Sequence, residues 1–147
     1  MVPVPQIPKW ILLVALLLGC NACGASAQAS GNTFKTPSGN IFCYYSTDDE
    51  VLRCDIAEYT NEQPEQPSDC ELDWGGMFAM TAEGKAGRIC AGDTVTDDRY
   101  PVLEYGSTWR RGNFRCMSER SGLRCVNKTG SGWLLRRSSQ ELFSAMP

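Results

Sequence analysis

At 147 residues the chain has room for one domain of ordinary size, and its net charge is −3. This charge gives no reason to expect a nucleic-acid-binding protein, so we expect no nucleic-acid partner. Histidine is absent from the sequence. Its absence excludes the commonest general base, the Ser-His and Cys-His nucleophile pairs, and zinc sites that contain histidine.

The N-terminal residues predict a bacterial lipoprotein signal peptide over residues 1–19. Lys9 is the only charged side chain of this segment, and the apolar run WILLVALLLG follows it at residues 10–19. The run is shorter than the ~20 residues that span a bilayer, and it fits the apolar core of a secretory signal peptide. The stretch LLGC at its end resembles a lipobox, which implies that Cys20 becomes a lipidated N-terminus held in the membrane.

A second cleavage site is also consistent with the sequence. Residues 27–29 read AQA, an A-x-A pattern that predicts ordinary cleavage after Ala29, although the apolar run ends ten residues earlier. Either site predicts export: the protein is anchored to a membrane of the cell envelope if Cys20 is lipidated, and secreted otherwise. Residues 20–32 are small and polar, so we expect a flexible tether there and a single domain over residues 33–147.

Six of the eight cysteines fall inside this domain, an even number that indicates disulfides in an exported protein. Four belong to a repeated element, which reads GNIFCYYSTDDEVLRCDI at residues 39–56 and GNFRCMSERSGLRCVN at residues 112–127. If the cysteines of each copy lie directly opposite each other in an antiparallel hairpin, both hairpins have four-residue loops, TDDE and ERSG. The first two predicted bridges follow from this register, and the third follows by elimination: Cys43–Cys54, Cys116–Cys125 and Cys70–Cys90.

The faces of the first hairpin support this register. Ile41 and Tyr45 would share the cystine side with their partners Ile56 and Leu52, which makes one side apolar and the other mixed, as in a half-buried sheet. Zinc is the alternative for the four repeated cysteines. Zinc pairs usually have Cys-x₂₋₄-Cys spacing, whereas ten and eight residues separate these pairs. We therefore expect disulfides, no metal centre and no cofactor.

The rest of the domain also has β-like patterns. A third hairpin is predicted from GGMFAM (75–80) and AGRIC (86–90), which flank the turn TAEGK. Two further strands are predicted at YPVLEYG (100–106) and TGSGWLL (129–135). Near the C-terminus, Ser138 and Glu141 predict the capping box of a short helix. The predicted fold is all-β: a small antiparallel sandwich or barrel braced by three disulfides, with a short C-terminal helix.

Six motifs spread over residues 34–137 are specific as a combination. They are FKTPSGNIFCYY, LRCDI, DWG, CAGDTV, LEYGSTWRRGNFRC and GLRCVNKTGSGWLLRR. In this combination the chain resembles an uncharacterised family of exported, disulfide-containing bacterial domains. The family pattern often has Gly-His-Gly where this chain has Gly130-Ser131-Gly132, which argues against any role that depends on that histidine. The resemblance supports the fold and implies no activity.

Charge is distributed unevenly along the domain and indicates one candidate site. Residues 30–98 contain four basic and 14 acidic side chains, a balance of −10, whereas residues 99–147 contain nine basic and three acidic side chains, a balance of +6. On the second hairpin, two arginines would point away from the cystine and lie close in sequence to four others: Arg115 and Arg124, with Arg110, Arg111, Arg136 and Arg137. Such a patch could bind an anionic envelope polymer, lipid headgroups or a protein partner. The alternative is that the basic half complements the acidic half within one fold.

Aromatic and acidic residues provide two further candidates. Trp74, Trp109 and Trp133 sit beside glycine or small polar residues, as ligand-stacking aromatics often do, but the core is the better interpretation for all three. Residues 48–50, Asp-Asp-Glu, and the acids of GDTVTDD (92–98) are the enzymatic alternative, because paired carboxylates can hydrolyse glycosides. Acidic hairpin tips, however, are common for solubility alone.

The sequence thus predicts an exported, lipid-anchored, disulfide-braced β domain that acts as a binding or envelope-interaction module rather than as an enzyme. A small secreted hydrolase that uses carboxylates is the first alternative, and a protease-inhibitor-like module that presents the ERSG tip is the second. A pocket lined by two of the acids would favour the hydrolase, whereas a continuous basic or aromatic surface would favour binding.

Overall fold

The structure is a computed structural model that describes residues 1–3 and 28–144. Within these residues the chain forms eleven strands: β1 (Gln28–Ala29), β2 (Thr33–Lys35), β3 (Ile41–Ser46), β4 (Val51–Ile56), β5 (Met77–Thr81), β6 (Gly87–Arg88), β7 (Thr108–Arg111), β8 (Phe114–Glu119), β9 (Gly122–Val126), β10 (Gly132–Arg136) and β11 (Ser139–Phe143). The described residues contain no helix, and hence none long and apolar enough to cross a membrane. The predicted all-β class is confirmed.

The strands form two sheets that pack face to face around one core. Strands β2 to β6 form a five-stranded sheet in which each strand pairs antiparallel with the next. Strands β7 to β11 form a second antiparallel meander, and β1 joins its edge by parallel pairing with β7. Strands β5 and β6 form the predicted third hairpin, and β10 lies within the stretch TGSGWLL. The architecture is therefore the predicted sandwich.

The structure contains the three predicted disulfides: Cys43–Cys54, Cys70–Cys90 and Cys116–Cys125. The first joins directly opposite residues of β3 and β4, and the third does the same in β8 and β9. In both hairpins the bridged Cα atoms are 4.1 Å apart, as expected for facing residues of an antiparallel pair. The remaining bridge ties the loop before β5 to the segment after β6.

The loop of the second hairpin differs from the prediction. The first hairpin has its four-residue loop, because Ser46 and Val51 are the last paired residues. In the second, Glu119 still pairs with Gly122, so the loop has only two residues. Such tight turns use backbone conformations that side chains disfavour, and Gly122 adopts a φ of 143°. The equal loop lengths that supported the pairing are therefore not present, although the pairing itself is correct.

Aromatic side chains from the two sheets meet in the core. Phe34 of β2 and Trp109 of β7 have ring centroids 5.1 Å apart, and Phe78 of β5 and Trp133 of β10 have centroids 6.2 Å apart. All four rings are buried. Burial of a side chain such as phenylalanine contributes about 1.5–3 kcal/mol, so these two contacts are a substantial part of what holds the sheets together.

Residues 28–32, the end of the predicted tether, belong to the domain. Strand β1 pairs with β7, Ala29 packs against the core, and the Gly31 carbonyl accepts a 2.9 Å hydrogen bond from Trp109 Nε1. The domain therefore begins no later than Gln28, because these backbone groups are already engaged there. Residues 4–19 of the predicted signal peptide, Cys20 and the rest of the tether lie outside the described residues.

The C-terminal segment is a strand rather than the predicted helix. Residues Ser139–Phe143 form β11, which pairs with β10 over its full length. Glu141, expected to cap a helix, instead lies 3.4 Å from Arg136 across this hairpin. A helix of one or two turns is unstable on its own, whereas a strand here satisfies the backbone groups at the edge of β10. Tertiary pairing therefore overrides the capping-box signal.

The two sheets are built alike. In each, a cystine joins the second and third strands of the meander, and the first and fourth strands each carry one of the stacked aromatic rings. The segment before each meander also crosses to the other sheet: β1 pairs parallel with β7, and Val102 pairs parallel with Lys35 of β2. The repeated hairpin is therefore part of a larger structural repeat.

Residues 93–102, which we call the strap, cross the outer face of the five-stranded sheet. Arg53 Nη2 on β4 and Lys35 Nζ on β2 each donate to a strap carbonyl oxygen at 2.6 Å. Phe42 lies between them on β3, and it is only 2% exposed although it points away from the core. The strand predicted at 100–106 is reduced to a single bridge between Val102 and Lys35 at the edge of β2, because turns at 97–100 and 104–107 flank it.

Asp55 fastens the strap to the sheet. Its carboxylate accepts hydrogen bonds from Arg53 Nε at 2.9 Å, Thr94 Oγ1 at 3.1 Å and the Val95 amide at 3.0 Å, and the residue is 4% exposed. Burial lowers the pKa of Arg53, but the carboxylates of Asp55 and Asp93 outweigh burial, so that this pKa lies above its usual value. Arg53 therefore stays charged, and its hydrogen bonds to Asp55 compensate for the water that both side chains lose.

The disulfides can be tested by peptide mapping without reduction. We expect three linked pairs, Cys43–Cys54, Cys70–Cys90 and Cys116–Cys125, and no free thiol among them. Replacing Cys116 and Cys125 together with alanine should lower the free energy of unfolding by about 3 kcal/mol, because the bridge no longer restricts the unfolded chain. Denaturant titration measures this loss. A crossed pair such as Cys54–Cys116 would contradict the two-hairpin fold.

The role of Asp55 can be tested with one substitution and a matched control. Asp55→Asn should lower the free energy of unfolding by about 3 kcal/mol, because it leaves the Arg53 guanidinium partly buried without its main partner. Asp93→Asn should cost less than about 1 kcal/mol, because the Asp93 side chain is 84% exposed. Denaturant titration compares the two variants, and equal losses would show that Asp55 does not fasten the strap.

Candidate functional site

The outer face of the six-stranded sheet carries three of the basic residues singled out in the sequence. Side chains alternate along a strand, and the cystine of β8 and β9 points into the core, so the residues beside the cysteines point outward. Arg115 and Arg124 are two of these, and Arg110 of β7 lies opposite Arg115. We call this surface the arginine face. It consists of the three exposed arginines and the apolar side chains beside them: Met117, Val126, Leu134 and Phe143.

Arg110 and Arg115 face each other directly across β7 and β8. Like charges at directly opposite positions repel and destabilise a strand pair. Neither side chain forms an ion pair or hydrogen bond with any residue in 1–3 or 28–144. The described chain therefore keeps two adjacent positive charges without supplying a counter-ion.

Arg124 lies flat on an apolar surface. Its guanidinium is 4.3 Å from the ring centroid of Phe143, a cation–π arrangement that leaves the N–H edges of the group accessible. Met117 and Leu134 flank it on the neighbouring strands, and both are half-buried. Within the described residues no acidic side chain pairs with Arg124. An anion can therefore reach its donors without displacing an internal partner.

A depression of about 360 Å³ adjoins the opposed arginines. Arg110, Arg115 and Val126 line it together with Lys128. The Lys128 ammonium is paired with Glu83, so its charge is already compensated. The unpaired positive charge of the depression therefore comes from the two arginines.

The other basic residues of this half do not extend the arginine face. Arg111 is exposed at the end of β7, but the alternation of side chains places it on the opposite side of the strand from Arg110. Arg136 and Arg137 each pair with a glutamate, at 3.4 Å and 2.9 Å, and Arg120 lies over a tyrosine ring. The patch of basic residues is therefore smaller than their closeness in sequence suggested.

Trp109 and Trp133 are core residues. They are 1% and 0% exposed, and each stacks on an aromatic ring of the other sheet. A ligand could reach these rings only if the sheets separated, so neither belongs to the candidate site. The small neighbours that suggested a binding role lie in the turns that lead into β7 and β10.

The two acidic stretches that suggested a hydrolase lie in separate depressions. Asp49 and Glu50 of the first hairpin tip line one of them together with Glu83, and the hydrogen bond from Lys128 lowers the pKa of Glu83. Asp93 of the strap lines the other. Asp93 lies 3.2 Å from Arg53, and hydrogen bonds from Arg99 lower the pKa of Asp97 to about 2. A catalytic acid needs a raised pKa, which an arginine partner opposes. The geometry gives no support to carboxylate catalysis at these positions.

A cleft of about 490 Å³ beside the strap contains two residues singled out in the sequence, Trp74 and Asp93. It is lined by Asp55, Asp73 and Asp93 together with Trp74. Two of these carboxylates already bind Arg53, so the cleft presents little free charge. In the described part of the chain, no group of three or more Cys, Asp or Glu side chains is placed to hold a metal ion.

The sequence prediction missed the apolar part of the arginine face. The sequence predicts Phe143 as the last residue of a helix that does not form, and it predicts Leu134 in a strand without indicating which side of that strand is buried. One signal was present in the repeat, because both copies contain Leu-Arg-Cys. In each triplet the arginine directly precedes a cysteine that points into the core. Because side chains alternate along a strand, Arg53 and Arg124 both point to the outer face of their sheet.

Comparison with known proteins gives one match. A family model described as a family of unknown function, DUF6636, matches residues 12–143. No curated protein and no solved structure matches the chain. The matched range includes all the strands from β1 to β11, and with them the whole arginine face. The resemblance to an uncharacterised family is thus confirmed, and the chain belongs to the family of unknown function DUF6636.

Proposed function

We propose that this domain is an exported binding module that takes an anionic partner of the bacterial cell envelope on the arginine face. The opposed pair Arg110 and Arg115 carries this proposal. Two guanidinium groups at directly opposite positions of neighbouring strands repel each other and lower the stability of the fold. No acidic side chain of the described residues pairs with either group to offset this repulsion. A bound anion would offset it through charge-assisted hydrogen bonds, for which the guanidinium group has suitable donors.

Export is part of the proposal, and the three disulfides support it. Disulfides form and persist in oxidising compartments such as the bacterial periplasm and the cell surface. All six cysteines of the described domain are bonded in pairs. The signal peptide predicted at residues 1–19 supports the same localisation independently of the fold.

Strand β1 favours cleavage before Cys20 over cleavage after Ala29. Cleavage after Ala29 would remove both residues of β1 and uncover the edge of β7, whereas cleavage before Cys20 retains them. Residues 20–27 would then link the lipid to the sheet. Eight extended residues reach about 28 Å at most, so the lipid anchor we propose would hold the arginine face close to the membrane surface.

The arginine face can be tested by replacing its opposed pair. The double variant Arg110→Gln, Arg115→Gln should bind anionic probes at least ~10-fold more weakly, because each lost charge-assisted contact is worth about 1.5 kcal/mol or more. Suitable probes are phosphatidylglycerol vesicles and poly-L-glutamate, measured by sedimentation and by calorimetry. The melting temperature should not fall, because the substitution removes a repulsion and no contact.

The matched control removes the same charge elsewhere in the same half. Arg111→Gln with Arg120→Gln should leave the binding of both probes unchanged, since neither residue lies on the arginine face. Equal weakening by the two double variants would mean that only net charge matters. Unchanged binding in the first variant would contradict the proposed function.

The lipid anchor gives a separate prediction. Cys20→Ala should release the protein from the membrane fraction and abolish incorporation of labelled fatty acid, because the lipid can no longer be attached to that residue. Fractionation and mass spectrometry of the N-terminus measure both effects. A mature wild-type protein that begins at Ser30 would rule out the anchor.

A further inference from the structure

The structural repeat gives the arginine face a counterpart on the other sheet. Arg124 directly precedes the second cysteine of its cystine, as Arg53 does in the first half. Arg110 directly follows the core aromatic ring of β7, as Lys35 follows that of β2. The two cations of the first sheet therefore occupy the same positions as two of the three arginines on the second.

In the first half, both cations bind one continuous segment of chain, the strap, which makes a turn at 97–100. The guanidinium of Arg53 donates to the Asp93 carboxylate at 3.2 Å and to the Asp93 carbonyl oxygen at 2.6 Å. Lys35 donates to the carbonyl oxygen of Asp98, five residues further along the strap, at 2.6 Å. Between these two contacts the strap covers Phe42. This arrangement shows how the scaffold holds an extended acidic peptide on the outer face of a sheet.

The second half has the same scaffold without the internal acid. Asp55 directly follows the second cysteine of the first hairpin, and the residue that follows the second cysteine of the other hairpin is Val126. Phe42 directly precedes the first cysteine of the first hairpin, and the residue that precedes the first cysteine of the other hairpin is Arg115. At these matched positions the second sheet thus has one cation more and one carboxylate fewer than the first. Within the described residues no segment crosses it as the strap crosses its counterpart.

We propose that the arginine face binds an extended, acidic segment of another protein, which lies across β7, β8 and β9 as the strap lies across β2, β3 and β4. This proposal rests on the proposed function and names the class of partner. The carboxylates and carbonyl oxygens of the segment accept from Arg110, Arg115 and Arg124. Its apolar side chains pack on Met117 and Leu134, as the strap packs on Phe42.

Two observations favour a polypeptide from another protein over the other occupants. The face is a broad strand surface with apolar side chains between its cations, which suits a segment that alternates acidic and apolar contacts better than an isolated headgroup. The strap of a second copy is not free to dock, because its acids Asp93 and Asp97 are engaged by Arg53 and Arg99 within their own chain.

The strap itself supplies the probe. A synthetic peptide of residues 91–102, AGDTVTDDRYPV, is titrated into the ¹⁵N-labelled exported chain without its signal peptide, and the arginine Nε–H signals are followed by NMR. We expect the signals of Arg110, Arg115 and Arg124 to shift and that of Arg111 to stay in place. The variant Arg124→Gln should weaken binding at least ~10-fold, and Arg111→Gln should not weaken it.

Three comparisons complete the test. A peptide in which Asp93, Asp97 and Asp98 are replaced with asparagine should bind at least ~10-fold more weakly, because it lacks the carboxylates. Phosphatidylglycerol vesicles, measured in parallel, should bind less well than the acidic peptide. Sedimentation should show a mass that does not rise with protein concentration.

Each other outcome overturns the inference in a distinguishable way. Vesicle binding that depends on Arg110 and Arg115, without peptide binding, would contradict the acidic polypeptide and leave the proposed function standing. Absence of binding to either probe would contradict both. Peptide-induced shifts at Arg53 would mean that the peptide displaces the strap instead, and self-association lost in Arg124→Gln would identify a second copy as the occupant.

Discussion

Each sheet depends on one disulfide that joins directly opposite residues of its central hairpin. Because side chains alternate along a strand, a slip of one residue would exchange the inner and outer faces of the whole sheet. The bonds Cys43–Cys54 and Cys116–Cys125 prevent that slip, and both lie in the core. The stacked aromatic rings then pack between two faces whose composition is already determined. The outward direction of Arg53 and Arg124 follows from the same constraint.

One scaffold thus carries two different outer faces. On the five-stranded sheet, the buried pair of Arg53 and Asp55 holds the strap, and the strap in turn covers Phe42. On the six-stranded sheet, the corresponding positions hold Arg124 and Val126, and no acidic side chain of the described residues pairs with Arg124. The uneven distribution of charge is partly compensated between the halves, because Lys128 and Arg137 of the basic half pair with Glu83 and Glu58 of the acidic half. The opposed arginines of β7 and β8 have no such partner within the described residues.

The sequence predicted local features well where a covalent or steric requirement acts over a short distance. Facing cysteines in a hairpin determine the register of both cystine hairpins, and an alternating apolar pattern marks one side of β3 and β4. It failed at Ser138 and Glu141, because a capping box stabilises a helix only in the absence of a better partner, and the edge of β10 is one. It also failed at residues 100–106, which alternate like a strand but form only one bridge with the edge of β2 between two turns.

The sequence by itself determined that this is a disulfide-braced all-β domain, which three bridges stabilise, and that its basic residues gather in the second half. Only the tertiary structure decided which of those residues form a surface. Arg110, Arg115 and Arg124 meet because three strands pair in one register, whereas Arg136 and Arg137 find glutamates that are distant or across a turn. Charge is a property of each residue, but whether that charge is compensated depends on neighbours that the fold brings together.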